Sequence, residues 1–392
     1  MDDKTLAEIA APHGTPSYVF DLDVLTQRAA AIREIFGESV SLCFSIKANP
    51  FLISAMAAAV DKIEVCSPGE LSICEKNAIS PEKIVFSGVN KTENDVARAV
   101  SYGAGIYTAE SGKHLRLLEA EGAKTGKKLP IILRLTSGNQ FGVDEKELRE
   151  LIAKRGDYPH LSFEGLHYFA GTQRTRLTQQ QKELDRLSNL IDSLKADLNF
   201  EVKRLEYGAG LAVPYFENED FSDTLAPCKQ LAPALQKIAQ KVKLTVEMGR
   251  FFTAECGHYL TSAEDIKSSN GTNYCIVDGG IHHLNYYGQT MAMKIPKMRR
   301  ISQKHNGAKT EYCICGSLCT INDVLVRSVT LEKVSEGDVI SFENTGAYSV
   351  TEGMSLFLSR KMPKIILYTA KNGAQCVRKA FETDILNTST GE

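Results

Sequence analysis

The chain has 392 residues, and its 46 basic and 48 acidic residues leave a formal charge of -2. That length exceeds one typical core, so two domains are expected, and the near-neutral balance gives no footprint for nucleic acid or a membrane surface. No apolar run reaches spanning length and the opening Met1-Asp2-Asp3-Lys4 lacks the apolar stretch of a signal peptide, so a cytoplasmic protein is expected. Ten cysteines are scattered through apolar contexts, and reduced thiols are the expected state. Cys313-Ile314-Cys315 has no second pair at zinc-site spacing, so no metal centre is expected.

The first strand signal is Ser17-Tyr18-Val19-Phe20-Asp21, which stands before the main alternation and is expected to pair with a later β domain. Short apolar runs then recur at 40–46, 62–66, 83–88, 105–108, 131–135, 163–169, 204–207 and 244–247. Segments with helical period lie between them, at 92–101, 111–121, 145–153 and 178–194. Eight strand–helix alternations predict a parallel α/β architecture, and the number eight favours a closed (β/α)8 barrel of the TIM type. Later the helical period fades, and short strands with glycine punctuation take over at 274–278, 312–315, 339–342 and 365–368. The reading is a barrel over 26–262 and an antiparallel β-barrel or sandwich built from 1–25 and 263–392.

One decapeptide, Ser41-Leu42-Cys43-Phe44-Ser45-Ile46-Lys47-Ala48-Asn49-Pro50, ends an apolar run in a single lysine. Pro50 pushes Asn49 out of the α region, so Lys47 is expected near the C-terminal end of a buried strand, where barrels place their chemistry. A lysine in apolar surroundings loses ammonium hydration, its pKa falls, and the free amine becomes a nucleophile toward carbonyls. The plainer reading is a lysine that snorkels from a strand end. Three glycine-rich points follow late strands: Gly171-Thr172, Gly208-Ala209-Gly210 and Glu247-Met248-Gly249-Arg250. Glycines there let backbone N–H groups approach a phosphate, although tight turns are their commoner use. Glu247 reads either as a structural ion pair with Arg250 or Arg134, or as a carboxylate that keeps a pyridine nitrogen protonated. Cys319 and Asp323 stand four apart after a strand, and Tyr348 closes Gly346-Ala347-Tyr348. Each reads either as a packed residue or as a group offered to a ligand.

Together these parts resemble the fold-type III pyridoxal-phosphate (PLP) decarboxylases, the group of diaminopimelate, ornithine and arginine decarboxylases. Seven blocks run in the family's order from Tyr18 to about Phe357. Phe44-Ser45-Ile46-Lys47-Ala48-Asn49 matches the PLP-lysine block and Glu64-Val65-Cys66-Ser67-Pro68-Gly69-Glu70-Leu71 the next. Gln140-Phe141-Gly142-Val143 resembles K-F-G-I, Gly208-Ala209-Gly210 resembles G-G-G, and Glu247-Met248-Gly249-Arg250 resembles E-P-G-R. Residues 316–323 resemble G-P-x-C-x-x-x-D, and Gly346-Ala347-Tyr348 is the G-A-Y block. The resemblance implies a PLP-dependent amino-acid decarboxylase, a carboxy-lyase, working as a head-to-tail homodimer with shared active sites. It implies that Lys47 forms the Schiff base with the cofactor, that Glu247 holds the pyridine nitrogen and that Phe169 stacks on the ring. Glu64, Arg134 and Gly208 would join the cofactor site, with Gly210, Gly249, Arg250 and Tyr348 around the phosphate. Cys319 would reach in from the partner chain to protonate the carbon that loses CO₂, and Asp323 would support its loop.

The departures bear on substrate. In diaminopimelate decarboxylases the block matching 165–173 reads roughly G-x-H-x-H-I-G-S-Q, and its second histidine is Phe169 here. Their arginine after the D-A-G segment becomes Tyr286, followed by Tyr287, and their glutamate after the cysteine becomes Thr320. Losing two charged partners disfavours a doubly charged substrate end. The expected substrate is an amino acid or amino-acid conjugate, free or on a carrier protein, as in the butirosin glutamyl carrier-protein or siderophore decarboxylases. The alternative is meso-diaminopimelate. Readings of other kinds are an amino-acid racemase using Tyr286 or Tyr287 as a second base, and a PLP-binding protein without turnover. The Cys319 block and the long β domain point away from both.

Overall fold

The structure, a computed structural model, describes residues 1–301 and 308–389. The chain divides into two compact units. One holds Thr26–Val213 and Asp223–Phe252, and the other holds Met1–Leu25, Pro214–Ser222 and Thr253–Glu392. The N-terminal strand β1 (Ser17–Asp21) belongs to the second unit.

The first unit is the expected barrel. Strands β2 (Val40–Ser45), β3 (Lys62–Val65), β4 (Ile84–Phe86), β5 (Ile106–Ala109), β6 (Leu129–Leu135), β7 (Leu161–Phe169), β8 (Arg204–Gly208) and β9 (Lys243–Met248) run parallel and close on themselves. The closing pair sets Val40 beside Leu244 and Phe44 beside Met248. Cys43, Val85, Ile106 and Ile132 pack together as one buried cluster from four of these strands. Helices form where caps and apolar period agree. In Glu93–Tyr102, Thr92 accepts from the Asp95 amide while Asp95 accepts from the Thr92 amide, and Gly103 ends the helix at φ 91°. Its buried face is Val96, Ala99 and Val100. Glu145–Ala153 starts at Asp144, which accepts from Glu147 N at 2.8 Å. After β2 the chain makes a 3-10 turn, Ile46–Ala48, and Asn49 lies extended at φ -168°, ψ 101°, as Pro50 requires.

The second unit is a nine-stranded, mostly antiparallel sheet. Its further strands are β10 (Gly257–Ser269), β11 (Thr272–Val277), β12 (Met298–Ile301), β13 (Lys309–Cys315), β14 (Val324–Glu332), β15 (Val339–Glu343), β16 (Lys364–Thr369) and β17 (Gly373–Arg378). β1 lies between β10, antiparallel to it, and β16, parallel to it. The expected pairing of the N-terminal strand with the β domain is thus present. β11 and β13 also run parallel, so the sheet is mixed. The helix Asp3–His13 lays Leu6, Ile9 and Ala10 against Val19, Leu260, Ile301 and Ile366.

The boundaries differ from the sequence reading in two places. β10 is one continuous strand paired with β1 and β15, so the β unit resumes at Thr253 and not at 263. The excursion Pro214–Ser222 also joins it, with Glu217 N donating to Ile295 O at 3.0 Å. Such loop segments carry no period to read. No helix is long and apolar enough to cross a membrane among the described residues. No disulfide joins any two cysteines among the described residues.

Candidate active site

Lys47 sits in the turn that leaves β2, at the C-terminal end of a barrel strand. Its surroundings differ from the apolar pocket read from the sequence, because acids line them. The ammonium pairs with Glu64 of β3 and lies 3.5 Å from Glu247 of β9, with the Cys66 sulfur at 3.6 Å. The apolar strand residues that suggested a dry pocket form the barrel wall instead. Glu64 accepts from the Cys66 thiol at 3.0 Å. Burial first, then the Glu64 charge, pushes that thiol well above its usual range.

Glu247 is the hub. Its Oε1 accepts from Ser45 Oγ at 2.8 Å, and its Oε2 lies 3.1 Å from His167 Nε2 of β7. β7 and β9 are not neighbouring strands, so this contact crosses the barrel interior. Burial raises the Glu247 pKa, but the Lys47 charge and the His167 and Ser45 bonds outweigh it and hold the carboxyl well below the usual range. Neither arginine offered by the sequence is its partner: Arg134 pairs with Glu110 at 3.0 Å and lies over the Phe141 ring, while Arg250 donates to Thr172 Oγ1 at 3.3 Å. Arg134, expected among the cofactor residues, is therefore engaged one strand away. His167 and Glu206 were missed. Each is a polar residue at an inward position of a strand, two before Phe169 and Gly208 respectively, and that alternation is the signal for them.

Phe169 ends β7 level with Gly208, the last residue of β8. A Cβ at Gly208 would strike the Phe169 ring, one at Gly249 would stand 2.8 Å from Ala48 Cβ, and one at Gly210, at φ 61°, would strike the Gly171 carbonyl. Backbone is thus exposed where side chains do not fit.

The remaining candidates lie in the β unit. Cys319 is exposed and Thr320 half-buried on the loop between β13 and β14. Asp323, only 3% exposed, closes that loop: its two oxygens accept from Ile281 N at 2.8 Å and Leu318 N at 2.7 Å. The carboxylate set among the catalytic residues by sequence is in this structure a brace between two backbone segments. Tyr286 departs further from expectation. It is buried, its phenol donates to Glu343 O at 2.6 Å, and its ring packs on Tyr215 and Phe216 of the excursion. Its hydroxyl is therefore not free for a substrate, whereas Tyr287 is half exposed. Tyr348 is held at φ 67°, a left-handed conformation uncommon outside glycine, and its carbonyl accepts from Thr351 N and Glu352 N.

An amine ringed by acids, with glycine-opened backbone above it at strand C-terminal ends, agrees with the sequence comparison. The profile of the family described as pyridoxal-dependent decarboxylase, pyridoxal binding domain, matches residues 22–254. The chain belongs to this family. It is a PLP-dependent amino-acid decarboxylase. Diaminopimelate decarboxylase of Aquifex aeolicus is 27% identical, over 89% of this chain and 85% of that protein. The L-glutamyl-[BtrI acyl-carrier protein] decarboxylase of Niallia circulans is 26% identical, over 99% of this chain and 96% of that one. A crystal structure from Aquifex aeolicus superposes with a TM-score of 0.86 at 26% identity, over 97% and 93% of the two chains.

The barrel residues suit the cofactor. It needs an amine for its aldehyde, an anionic carboxylate for a pyridinium and close backbone for its phosphate. Lys47, Glu247 and the Gly208, Gly210 and Gly249 backbone are groups of those kinds. His167 Nδ1 and Glu206 Oε1 are buried with no partner among the described residues, so the chamber is polar beyond its own pairing. His167, Glu206 and Glu247 also bring potential metal-ligand atoms within 4.8 Å of one another. Glu247 is already engaged by Lys47, Ser45 and His167, so the trio reads as the floor of the cofactor seat.

Proposed function

We propose that this decarboxylase acts on an amino acid whose distal end is uncharged or joined to a larger body, with a carrier-linked glutamyl group the best fit. The observation that carries this reading is the lack of charge at the two positions where diaminopimelate decarboxylases hold the distal end. Tyr286 is turned into its own core with its phenol bonded, and Thr320 offers one hydroxyl. The carrier-protein enzyme of Niallia circulans, alignable over nearly its whole length, supports the same class.

Bound PLP supplies an electron sink for the pair left when the carboxylate departs as CO₂. Lys47 holds the cofactor through Nζ. Glu247, kept anionic by its partners, accepts from a protonated pyridine nitrogen, and Phe169 offers its ring face. The backbone at Gly208, Gly210 and Gly249, with Arg250, holds the phosphate. Cys319 Sγ delivers the proton that replaces the lost carboxylate on the α-carbon, and Asp323 holds its loop in place. The working unit is a homodimer in which Cys319 serves the partner's barrel. Exposed apolar side chains of the β unit, Ile321, Met293 and Met291, suit association. Mixing Lys47→Ala with Cys319→Ala chains should restore up to roughly a quarter of native activity, as random pairing dictates. No rescue, despite proven subunit exchange, would count against sharing.

The relatives named as diaminopimelate decarboxylases favour a second reading, with meso-diaminopimelate as substrate. Release of CO₂ from free amino acids, meso-diaminopimelate and carrier-linked glutamate at equal concentration separates the two. Turnover of meso-diaminopimelate with kcat/KM on the order of 10⁴ per molar per second or more would overturn the preferred reading.

A further inference from the structure

At the floor of the barrel, His167 and Glu206 stand side by side in register on β7 and β8. Glu247 sits one layer nearer the rim, level with Gly208. His167 is 1% and Glu206 3% exposed. The ring has one hydrogen-bonding contact among the described residues, Nε2 to Glu247 Oε2 at 3.1 Å. Its Nδ1 and Glu206 Oε1 are buried without a partner among the described residues. Three acids, Glu64, Glu206 and Glu247, lie close to the ammonium of Lys47, with Lys62 farther off. Buried anions this close raise one another's cost, and one adjustment is for an acid to keep its proton. Burial and the charges of Glu247 and Glu64 select Glu206, whose carboxyl they push well above its usual range.

We propose that His167 is a positioning residue for the cofactor: its Nε2–H, set 3.1 Å from Glu247 Oε2, keeps that carboxylate ionised and aimed. The inference rests on the reading that Glu247 faces the pyridine nitrogen. A carboxylate that loses a hydrogen bond to its charged form becomes easier to protonate. It then holds a pyridinium less firmly. The groups facing Glu247 are Ser45 and Lys47 at the end of β2, Cys43 below them, Glu64 on β3, His167 on β7 and Glu206 on β8, with Lys62 beyond. Of these, Ser45 and His167 hydrogen-bond it, and the Lys47 ammonium stands 3.5 Å from it.

The test begins with cofactor-free protein carrying ¹³C-carboxyl glutamate, the Glu247 signal being assigned with Glu247→Gln. In native protein that signal should stay ionised to the lowest pH the fold survives. In His167→Leu it should titrate roughly one to two pH units higher. His167→Gln, whose amide N–H reaches the same place, should restore the native course, and Glu206→Gln, which copies the neutral acid, should leave it in place. In the loaded enzyme, His167→Leu should weaken cofactor retention roughly ten- to a hundredfold and shift the pH at which the visible band changes. A Glu247 titration that coincides in native protein and His167→Leu overturns the proposal. If His167→Leu does not fold, a His167→Gln titration raised by a unit or more does so instead. If Glu247→Gln leaves retention and the visible band untouched, the reading of Glu247 fails, while the cofactor-free titration still judges His167.

Discussion

Removing the Asp323 carboxylate should release the loop that carries Cys319. The side chain is buried and spends both oxygens on backbone donors, Ile281 N at 2.8 Å and Leu318 N at 2.7 Å. A Cβ at Gly280 would stand 2.7 Å from one of those oxygens, and Gly316 is packed more closely still. The carboxylate thus fills a slot between two glycines with no slack. Asp323→Ala deletes two charge-assisted bonds, worth about 1.5–3 kcal/mol each, and strands one buried and one half-buried amide. Allowing for non-additivity, the loss should be about 3–5 kcal/mol. For a unit of this size that lowers its thermal transition by roughly 6–20 °C. Asp323→Asn keeps one acceptor and turns a donor toward the other amide, so it should fall between. Calorimetry reads the stability, and the alkylation rate of Cys319 reads the loop. Decarboxylation should drop with both, because the thiol is no longer held. A loss below about 1 kcal/mol in Asp323→Ala, with full activity, would show that the two bonds do not brace the loop and that the reasoning from their geometry is wrong.

Three further outcomes follow from the barrel. Lys47→Ala should abolish the visible chromophore that borohydride fixes to the chain, and a fixable chromophore in that variant would remove Lys47 from its role. Gly210→Ala places a Cβ on the Gly171 carbonyl at φ 61°. Cofactor affinity, measured by equilibrium dialysis, should fall at least roughly tenfold while the far-ultraviolet spectrum is kept, as strain of about 1–3 kcal/mol at one residue requires. Lys91 is 1% exposed, bonds only the Gly88 carbonyl among the described residues, and is pushed down to about 8, chiefly by burial. Because its folded pKa is the lower one, the cost of burying the ammonium is full below about pH 8 and fades as pH approaches 10.5, so native stability should rise across that window. Lys91→Met should flatten the rise and add about 1–2 kcal/mol at pH 7, and chemical denaturation at pH 7 and 10 would expose the error if the native curve is already flat.

Much was legible because its causes are local. Eight strand–helix alternations are set by apolar period and caps, so the barrel could be counted, and 145–153 coincides with its helix. Pro50 acts on its immediate neighbour, so the turn that presents Lys47 could be placed. Gly208, Gly210 and Gly249 announced close backbone approach because no other residue avoids those collisions.

Other features have no local cause. Whether Lys47 meets apolar groups or carboxylates depends on Glu64 of β3 and Glu247 of β9, which only barrel closure brings to it. His167 reaches Glu247 across the interior, past β8, and that distance is a matter of register and curvature. The direction of Tyr286 was decided by Pro214–Ser222, a segment far away in sequence that supplies Tyr215 and Phe216 as its packing partners. A side chain in an irregular loop has no period to announce its face, and its burial is settled by whatever the fold places beside it. The sequence by itself determined the elements, the chemistry-bearing residue types and the family. The tertiary structure alone decided which acids surround the lysine and which hydroxyls remain available, because electrostatics and burial act through space and not along the chain.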